Sequence, residues 1–386
     1  MSTAARRRAY SGPALFSFGF RPFFLFGAAW AALVVPLWLA VFMHGGPPEI
    51  SRDWHIHEML FGYLAAVIAG FLTTAVPNWT GRMPVIGAPL GVLVALWVAG
   101  RLAMLFPSPV SYAIDSLFLI AFAAVVWREV LAGRNWRNLP VCILVSLFAL
   151  ANVAFHFGPA GSLAIGVRVG LAAVAVLIAL IGGRITPSFT RNWLNARGET
   201  RLPATAGRFD QVALGVTGVA AAAWAIFPDL SISGAALALA GLANLARLAR
   251  WRGWLAWKEP LVTVLHLGYG WLGAGLLLLG LSALTGEVPR TAGVHALTAG
   301  AVGVMTLAVM TRASRGHTGR PLTADRATQA IFLLVNLAAV SRVAAPFLPT
   351  MQVGLLSLSA ALWTLAFASF AGAYGKMLLT PRPARA

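Results

Sequence analysis

The stretch D-W-H-I-H-E-M-L-F-G-Y-L-A-A-V-I-A-G-F-L-T-T-A-V, which runs from Asp53 to Val76, decides the fold of this chain. Beyond its first six residues it is apolar, and a helix needs about 20 such residues to cross the hydrocarbon core of a bilayer. His55, His57 and Glu58 nevertheless stand at its start, where desolvation of ionisable side chains is costly. The stretch therefore predicts a transmembrane helix with functional groups at one end.

The composition extends this prediction to the whole chain. Of its 386 residues, 59% are hydrophobic and 10% are charged, whereas a soluble domain carries about 25% charged residues. We predict an all-α polytopic membrane protein, a single transmembrane domain over 1–386 with cytoplasmic segments at 1–22, 184–209 and 376–386. Its twelve spans are predicted near 23–43, 55–76, 87–106, 110–131, 139–158, 161–183, 210–227, 231–250, 261–284, 291–311, 328–348 and 352–375.

The net charge of +18 reflects membrane topology rather than nucleic-acid binding. Of the 29 lysines and arginines, 24 lie on one side, in connections or at the ends of spans, only Arg52 and Arg290 lie on the other side, and three lie deeper inside spans. This is the asymmetry of the positive-inside rule. It predicts that both termini lie in the cytoplasm. The single cysteine, Cys142, excludes an internal disulfide and a cysteine-rich zinc site.

Short internal matches indicate a repeat. His57, Gly62 and Thr80-Gly81-Arg82 recur 238 positions later as His295, Gly300 and Thr318-Gly319-Arg320. The first and fifth predicted spans also both end in H-x-G-P, at His44 and His156. A four-helix unit used three times would explain both relations. Interfaces between such repeats are common places for functional sites in membrane proteins.

Histidines and intramembrane charges share one depth. The group at the outer ends of the predicted spans consists of His44, His55, His57, Glu58, Arg101, Asp115, His156, Arg168, His295 and Arg342. His266 lies deeper in the ninth predicted span, and His317 falls in a basic loop, where we expect it to be solvated. His44 could simply face interfacial water, and the arginines could extend to the interface as long side chains do.

Such a layer has the composition of a haem pocket at the outer face. Imidazole binds haem iron and copper, and arginine matches the propionate carboxylates of a haem. The cofactor-binding candidates are His57, His295, His55, His156, Arg101, Arg168 and Arg342. The metal-ligand candidates are His55, His57, His156, His295, His44, Met59 and His266.

The geometry of a helix separates the two histidines of the opening stretch. Residues two positions apart point about 200° away from each other, so His55 and His57 serve different partners if both are helical. His55 and Met59 share a face, as a copper pair would. Methionine is more often a packing residue. Glu58 could orient a ligating imidazole or carry protons.

Three stretches resemble the NnrS family: F-G-F-R-P-F-F at 18–24, W-H-I-H-E-M-L-F-G-Y at 54–63 and G-F-L-T-T-A-V-P-N-W-T-G at 70–81. The segment around His295 and T-G-R at 318–320 fit the same family, so the similarity covers essentially the full chain. The resemblance implies a bacterial inner-membrane protein with twelve spans that contains haem and copper. It also implies a role in nitric oxide metabolism or nitrosative-stress resistance, often alongside denitrification.

Other functions stay open at this stage. The chain lacks the adjacent His-His pair of haem-copper oxidases, and its electron donor is unknown. The expected partners are nitric oxide or a related small ligand and membrane lipid. A secondary transporter would use the same inventory of helices, repeats and buried charges, although its site would lie near the midplane. A haem-based sensor or redox carrier is a further alternative.

Overall fold

The computed structural model describes residues 10–159 and 161–382, so the predicted cytoplasmic tails lie partly outside it. The described residues form twelve long helices, joined by short 3₁₀ turns and loops, and no strand. The helices, α1 to α12 in chain order, are Phe20–His44, Arg52–Thr80, Ala88–Ala103, Pro109–Ala132, Trp136–Phe157, Leu163–Asn195, Arg208–Ile226, Ser231–Arg250, Pro260–Thr285, Arg290–His317, Arg326–Phe347 and Pro349–Leu379.

Eleven of these helices are long and apolar enough to cross a membrane, which confirms the prediction of an all-α, multi-pass membrane protein. The exception is α3, which ends at Ala103 instead of extending to residue 106. Its end has a local cause, because Pro107 follows and disfavours the helical conformation of the residue before it. In the other direction, α6 continues to Asn195, well past the predicted start of a loop at 184.

Three helices change from α to π geometry for part of their length. The π segments are Glu58–Leu64 in α2, Ile178–Gly182 in α6 and Ala296–Val302 in α10. A π segment inserts one extra residue per turn and is frequent at functional sites. The three helices are four apart in the chain, as the predicted repeat requires, and each segment has glycine at its fifth position. The threefold repeat itself stays a prediction.

The chain divides into two compact units. Unit 1 comprises Met1–Gly170, Met310–Pro321 and Phe367–Ala386, and unit 2 comprises Leu171–Val309 and Leu322–Ala366. In unit 1, an aromatic core that includes Phe23, Phe118 and Phe122 lies between α1 and α4. In unit 2, α8 and α9 approach closely at Gly241, where an added Cβ would be 2.7 Å from the Gly273 carbonyl oxygen.

Arg21 explains the F-G-F-R-P-F-F motif structurally. The side chain is 3% exposed, and its Nη1 donates to the main-chain oxygens of Met377, Leu378 and Thr380 at 3.3, 2.8 and 2.7 Å. The last carbonyls of a helix have no partner within that helix and carry partial negative charge. Arg21 thus ties the start of α1 to the end of α12 within unit 1.

Candidate metal site

The start of α2 holds His57 and Glu58 at the change from α to π geometry. The Ser51 hydroxyl accepts a hydrogen bond from the Trp54 amide at 3.1 Å and starts the helix, as an N-cap residue does. The π segment then begins at Glu58. At Gly62 an added Cβ would be 2.5 Å from Nη1 of Arg101. The missing side chain at this glycine therefore allows the guanidinium of α3 to lie against α2.

His57 is fully buried and both of its ring nitrogens face oxygen atoms. Its Nδ1 lies 2.9 Å from Glu58 Oε1. Its Nε2 lies 3.0 Å from Asp115 Oδ2 and 3.1 Å from Asn152 Oδ1. Since every neighbouring atom is an acceptor, both nitrogens carry protons in this arrangement. The imidazole therefore bridges α2, α4 and α5.

Asp115 is the centre of the cluster. Its Oδ2 accepts from Asn152 Nδ2 at 2.9 Å and lies 3.0 Å from His156 Nε2, while its Oδ1 accepts from Arg101. The side chains of His57, Asp115 and His156 are 0%, 1% and 1% exposed. One ligand atom from each of these three residues lies within 4.8 Å of the other two. Two imidazoles and one carboxylate therefore converge in a site from which water is excluded.

Glu58 and Arg101 complete the network. Arg101 Nη1 donates to Glu58 Oε2 at 2.6 Å, and Trp30 Nε1 donates to the same oxygen at 2.7 Å. Arg101 thus bonds both buried carboxylates. Two carboxylates and one guanidinium leave one excess negative charge, which the doubly protonated His57 balances. Buried charges persist only when they are paired and hydrogen-bonded in this way.

Aromatic rings enclose the two histidines. The Tyr112 ring stacks on His156, with centroids 4.6 Å apart and an interplanar angle of 15°. The rings of Phe61 and Phe155 lie 5.6 and 5.2 Å from the His57 ring. These walls are apolar and restrict the imidazoles to few orientations. The local dielectric is consequently low, which strengthens the interactions inside the site.

His55 and Met59 lie apart from this cluster. The His55 ring stacks on Trp38, with centroids 4.2 Å apart. Met59 packs with Val34, Trp54 and Met104 in a hydrophobic group. The predicted separation of His55 from His57 is therefore present, but Met59 serves packing. The pairing of His55 and Met59 on copper stays a prediction that these contacts do not favour.

The remaining sequence candidates are distributed over both units. In unit 1, His44 is exposed at the end of α1 and Arg168 is half-buried in α6. In unit 2, His266 Nε2 contacts the Thr190 hydroxyl at 2.9 Å. His295 Nδ1 donates to the Thr291 carbonyl oxygen of its own helix at 2.7 Å. Arg342 is half-buried in α11.

His317 differs from the expectation of a solvated loop residue. It is the last residue of α10, is half-buried, and its ring lies 6.0 and 5.5 Å from the rings of Phe18 and Phe20. The helix continues six residues beyond the predicted end of the span at 311. The extension contains the polar residues Arg312, Ser314 and Arg315, and hydropathy alone does not detect a helix that continues through such residues.

Sequence reasoning missed three members of the cluster: Asp115 as a ligand, Asn152 and Trp30. The sequence places Asp115 in the outer layer and assigns it no role, although an acidic residue inside a span is itself a signal of function. Asn152 lies four residues before His156 and therefore shares its helix face. That spacing could have indicated a joint site. Trp30 carried no signal, because tryptophan is common in membrane helices.

Unit 2 contains a second buried polar cluster of different chemistry. Arg247 bonds Tyr269 Oη at 2.6 Å and the carbonyl oxygen of Ala179, in the π segment of α6, at 3.2 Å. Its Nε donates to Asp210 Oδ1 at 3.2 Å, and Tyr269 Oη donates to Asn244 Oδ1 at 2.6 Å. This cluster has no imidazole or thiolate ligand among the residues just named, so it does not resemble a transition-metal site.

Comparison with known protein families gives one result. The family model described as NnrS protein matches residues 14–382, nearly the whole chain. No curated protein matches the chain. The match covers all twelve helices and all residues of the His57–Asp115–His156 cluster.

Proposed function

The chain belongs to the NnrS family, and from this premise we propose that it acts in nitric oxide metabolism or nitrosative-stress resistance through a metal ion at His57, Asp115 and His156. Family membership suggests a nitric oxide-related function. The proposal places the protein in a bacterial inner membrane with both termini cytoplasmic, supported by the positive-inside distribution of arginines. The cluster then lies near the outer face.

The observation that carries the proposal is the convergence of the three ligand atoms within 4.8 Å. Two imidazoles and a carboxylate suit copper, zinc and non-haem iron. Copper is the metal that the family resemblance implies. A copper ion with an open coordination position would supply a centre that binds nitric oxide. The protein residues would hold the ion, orient its ligands and exclude water.

The charges of the cluster also favour a cation. Metal binding requires neutral imidazoles, so a metal would replace the proton on His57 Nε2. Replacement of that proton by a monovalent ion such as Cu(I) leaves the net charge of the site unchanged. Glu58 would retain the proton on His57 Nδ1 through its 2.9 Å hydrogen bond. A carboxylate in this position orients a ligating imidazole and raises its basicity.

The surroundings are suited to a small uncharged ligand. Nitric oxide is soluble in the hydrocarbon of the bilayer and needs no polar channel to reach a site between helices. The rings of Phe61, Phe155 and Tyr112 provide an apolar border around the two histidines. Charged competitors would have to be desolvated to enter, and this costs several kcal/mol per ion.

A haem fits the described residues of this cluster less well. Both ring nitrogens of His57 are in hydrogen bonds, and Arg101 bonds Glu58 and Asp115 instead of leaving its fork for a propionate. His295 and Arg342 belong to unit 2. Haem binding therefore stays part of the proposal on the family resemblance alone, without an assignment of its ligands.

A secondary transporter is the second candidate. The observation that favours it is the interruption of α2, α6 and α10 by π segments, because broken helices at corresponding positions often form transport sites. In that case the His57–Asp115–Arg101 network would carry protons or a cation across the membrane. The two functions differ in one simple property, since only the first needs a resident metal.

Metal analysis of the purified protein tests the proposal. We expect about one copper per chain, with a reduced copper content in His156→Ala and Asp115→Asn and an unchanged content in His44→Ala, a matched change at an exposed histidine. An optical spectrum of the same samples would show a Soret band if haem is bound. A metal-free, colourless protein that retains its fold would contradict the proposal and favour the transporter.

A further inference from the structure

Two sequence motifs that the metal site does not use meet at one end of unit 1. The first contains Phe18, Phe20 and Arg21, and the second is T-G-R at 318–320. The His317 ring packs against both phenylalanines. Gly319 has a φ of 75°, a left-handed conformation that favours glycine. The Arg382 side chain covers this glycine, since an added Cβ would be 2.5 Å from Arg382 Nε.

Positive charge is concentrated at this end of unit 1. Arg320 directly follows Gly319, against which the Arg382 side chain lies. Arg21 donates to the main-chain oxygen of Thr380, two residues before Arg382. Among the described residues, no carboxylate oxygen lies within 4.0 Å of a nitrogen of these three arginines. Main-chain carbonyls satisfy Nη1 of Arg21, but carbonyls do not neutralise its charge.

Buried donors without partners lie in the same segments. Within the described part of the chain, Nε of Arg21, Nη1 of Arg320 and Oγ of Ser314 are buried and have no hydrogen-bond partner. An unsatisfied buried donor costs about 1–3 kcal/mol, and a charged group costs more. Arg21 Nε and Arg320 Nη1 are charged donors of this arginine group, and an acceptor from outside the chain would satisfy them.

The segment at residues 80–82 is the sequence counterpart of the segment at residues 318–320, and its arginine has a carboxylate partner. Thr80-Gly81-Arg82 corresponds to Thr318-Gly319-Arg320, and Gly81 has a similar φ of 69°. There, Arg82 Nε donates to Glu129 Oε2 at 2.7 Å. The arginine after the turn therefore pairs with a carboxylate at Arg82, whereas at Arg320 it lies among other arginines.

We propose that Arg320, Arg382 and Arg21 bind a phosphate group at this end of unit 1. Arginine matches phosphate oxygens with a fork of parallel donors, and basic pockets between membrane helices bind lipid head groups on the cytoplasmic side. The positive-inside distribution assigns this end to the cytoplasm. The phosphate group comes either from an anionic lipid head group or from a free phosphate in solution. This site is independent of the metal.

Native mass spectrometry of the full chain in detergent tests the proposal and separates the two sources. We expect phosphatidylglycerol to bind about tenfold more tightly than phosphatidylcholine, because the zwitterionic head group offers the same phosphate with its charge neutralised. Arg320→Ala should weaken phosphatidylglycerol binding about tenfold, the usual effect of one charge-assisted hydrogen bond. Arg82→Ala is the matched control and should bind as the wild type does.

A second arm uses inorganic phosphate in thermal unfolding. If phosphate raises the melting temperature of the wild type but not of Arg320→Ala, and the two lipids bind equally, the source is free phosphate. Arg382→Ala, at an exposed position, gives the same test if Arg320→Ala does not fold. The proposal is overturned if neither probe binds the wild type, or if Arg320→Ala, Arg382→Ala and Arg82→Ala all bind equally.

Discussion

The starts of α2 and α10 have the same succession of α and π segments, but the side chains that they carry are chemically different. Each begins with a six-residue α segment, Arg52–His57 and Arg290–His295, and continues into a seven-residue π segment, Glu58–Leu64 and Ala296–Val302. Each α segment ends in histidine. The correspondence extends to Gly62 and Gly300, where an added Cβ would be 2.5 Å from Arg101 Nη1 in one case and 2.6 Å from the Trp271 ring in the other.

The two histidines differ in burial and in the residue that follows them. His57 is fully buried and contacts Glu58, Asp115 and Asn152. His295 is half-buried and contacts the Thr291 carbonyl oxygen of its own helix, and Ala296 stands where α2 has Glu58. The comparison teaches that the π geometry makes room at a glycine, whereas the polar residues of neighbouring helices determine whether that room becomes a site.

The largest expected effect is the loss of stability on removal of Arg101 in unit 1, compared with removal of Arg342 in unit 2. Arg101→Ala removes the partner of two buried carboxylates, and loss of one member of a buried ion pair costs about 3–5 kcal/mol. Arg342→Ala removes a half-buried arginine for which no carboxylate partner lies among the described residues, so we expect a loss of about 1 kcal/mol or less. Thermal unfolding in detergent measures both variants. Equal destabilisation of the two variants would contradict the claim that the ion pairs of Arg101 stabilise the fold more than Arg342 does.

The glycines give the next effect. Gly62→Ala and Gly300→Ala both force a neighbouring side chain to shift, and overpacking of this kind costs about 1–3 kcal/mol. Only Gly62→Ala should also reduce the metal content, because the side chain that it displaces is Arg101. Unfolding and metal analysis of the two variants check this difference. Loss of metal in Gly300→Ala would remove the distinction between the two helices.

The helices and the importance of His57 follow from the sequence, but the partners of His57 do not. Long apolar runs predict α2 and the other spans, because an apolar segment in a bilayer must satisfy its backbone hydrogen bonds internally, as a helix does. Register between helices is not encoded in such runs. Asp115 and Asn152 could therefore be placed at a depth but not on a face toward His57. The pairing of His57 with His295, which the repeat and their equal depth predict, stays a prediction.

A change at Glu58 tests how much a residue that orients a metal ligand contributes to metal affinity. Glu58→Gln retains the size of the side chain but removes the charge that holds Arg101 and the proton of His57. Replacement of a residue that orients a metal ligand weakens metal affinity about 10–100-fold. Ala296→Ser, at the corresponding position of α10, should leave the affinity unchanged. Competition with a copper chelator measures both, and an unchanged affinity in Glu58→Gln would exclude the orienting role.

The smallest effect is expected at His295. The residue is only half-buried and its Nδ1 donates to a carbonyl oxygen of the same helix, so His295→Ala should change stability by about 0.5 kcal/mol or less. The metal content should equal that of the wild type. Thermal unfolding together with metal analysis gives the answer. Loss of the metal in this variant would favour ligands from both helices.

The most direct test of the central claim counts the imidazoles on the metal. Electron spin-echo spectroscopy of the oxidised, copper-loaded protein detects the remote nitrogen of each coordinated histidine. The site described here predicts two imidazoles in the wild type and in His295→Ala, and one in His156→Ala. One imidazole in His295→Ala with two in His156→Ala would contradict the assignment of the site to His57, Asp115 and His156.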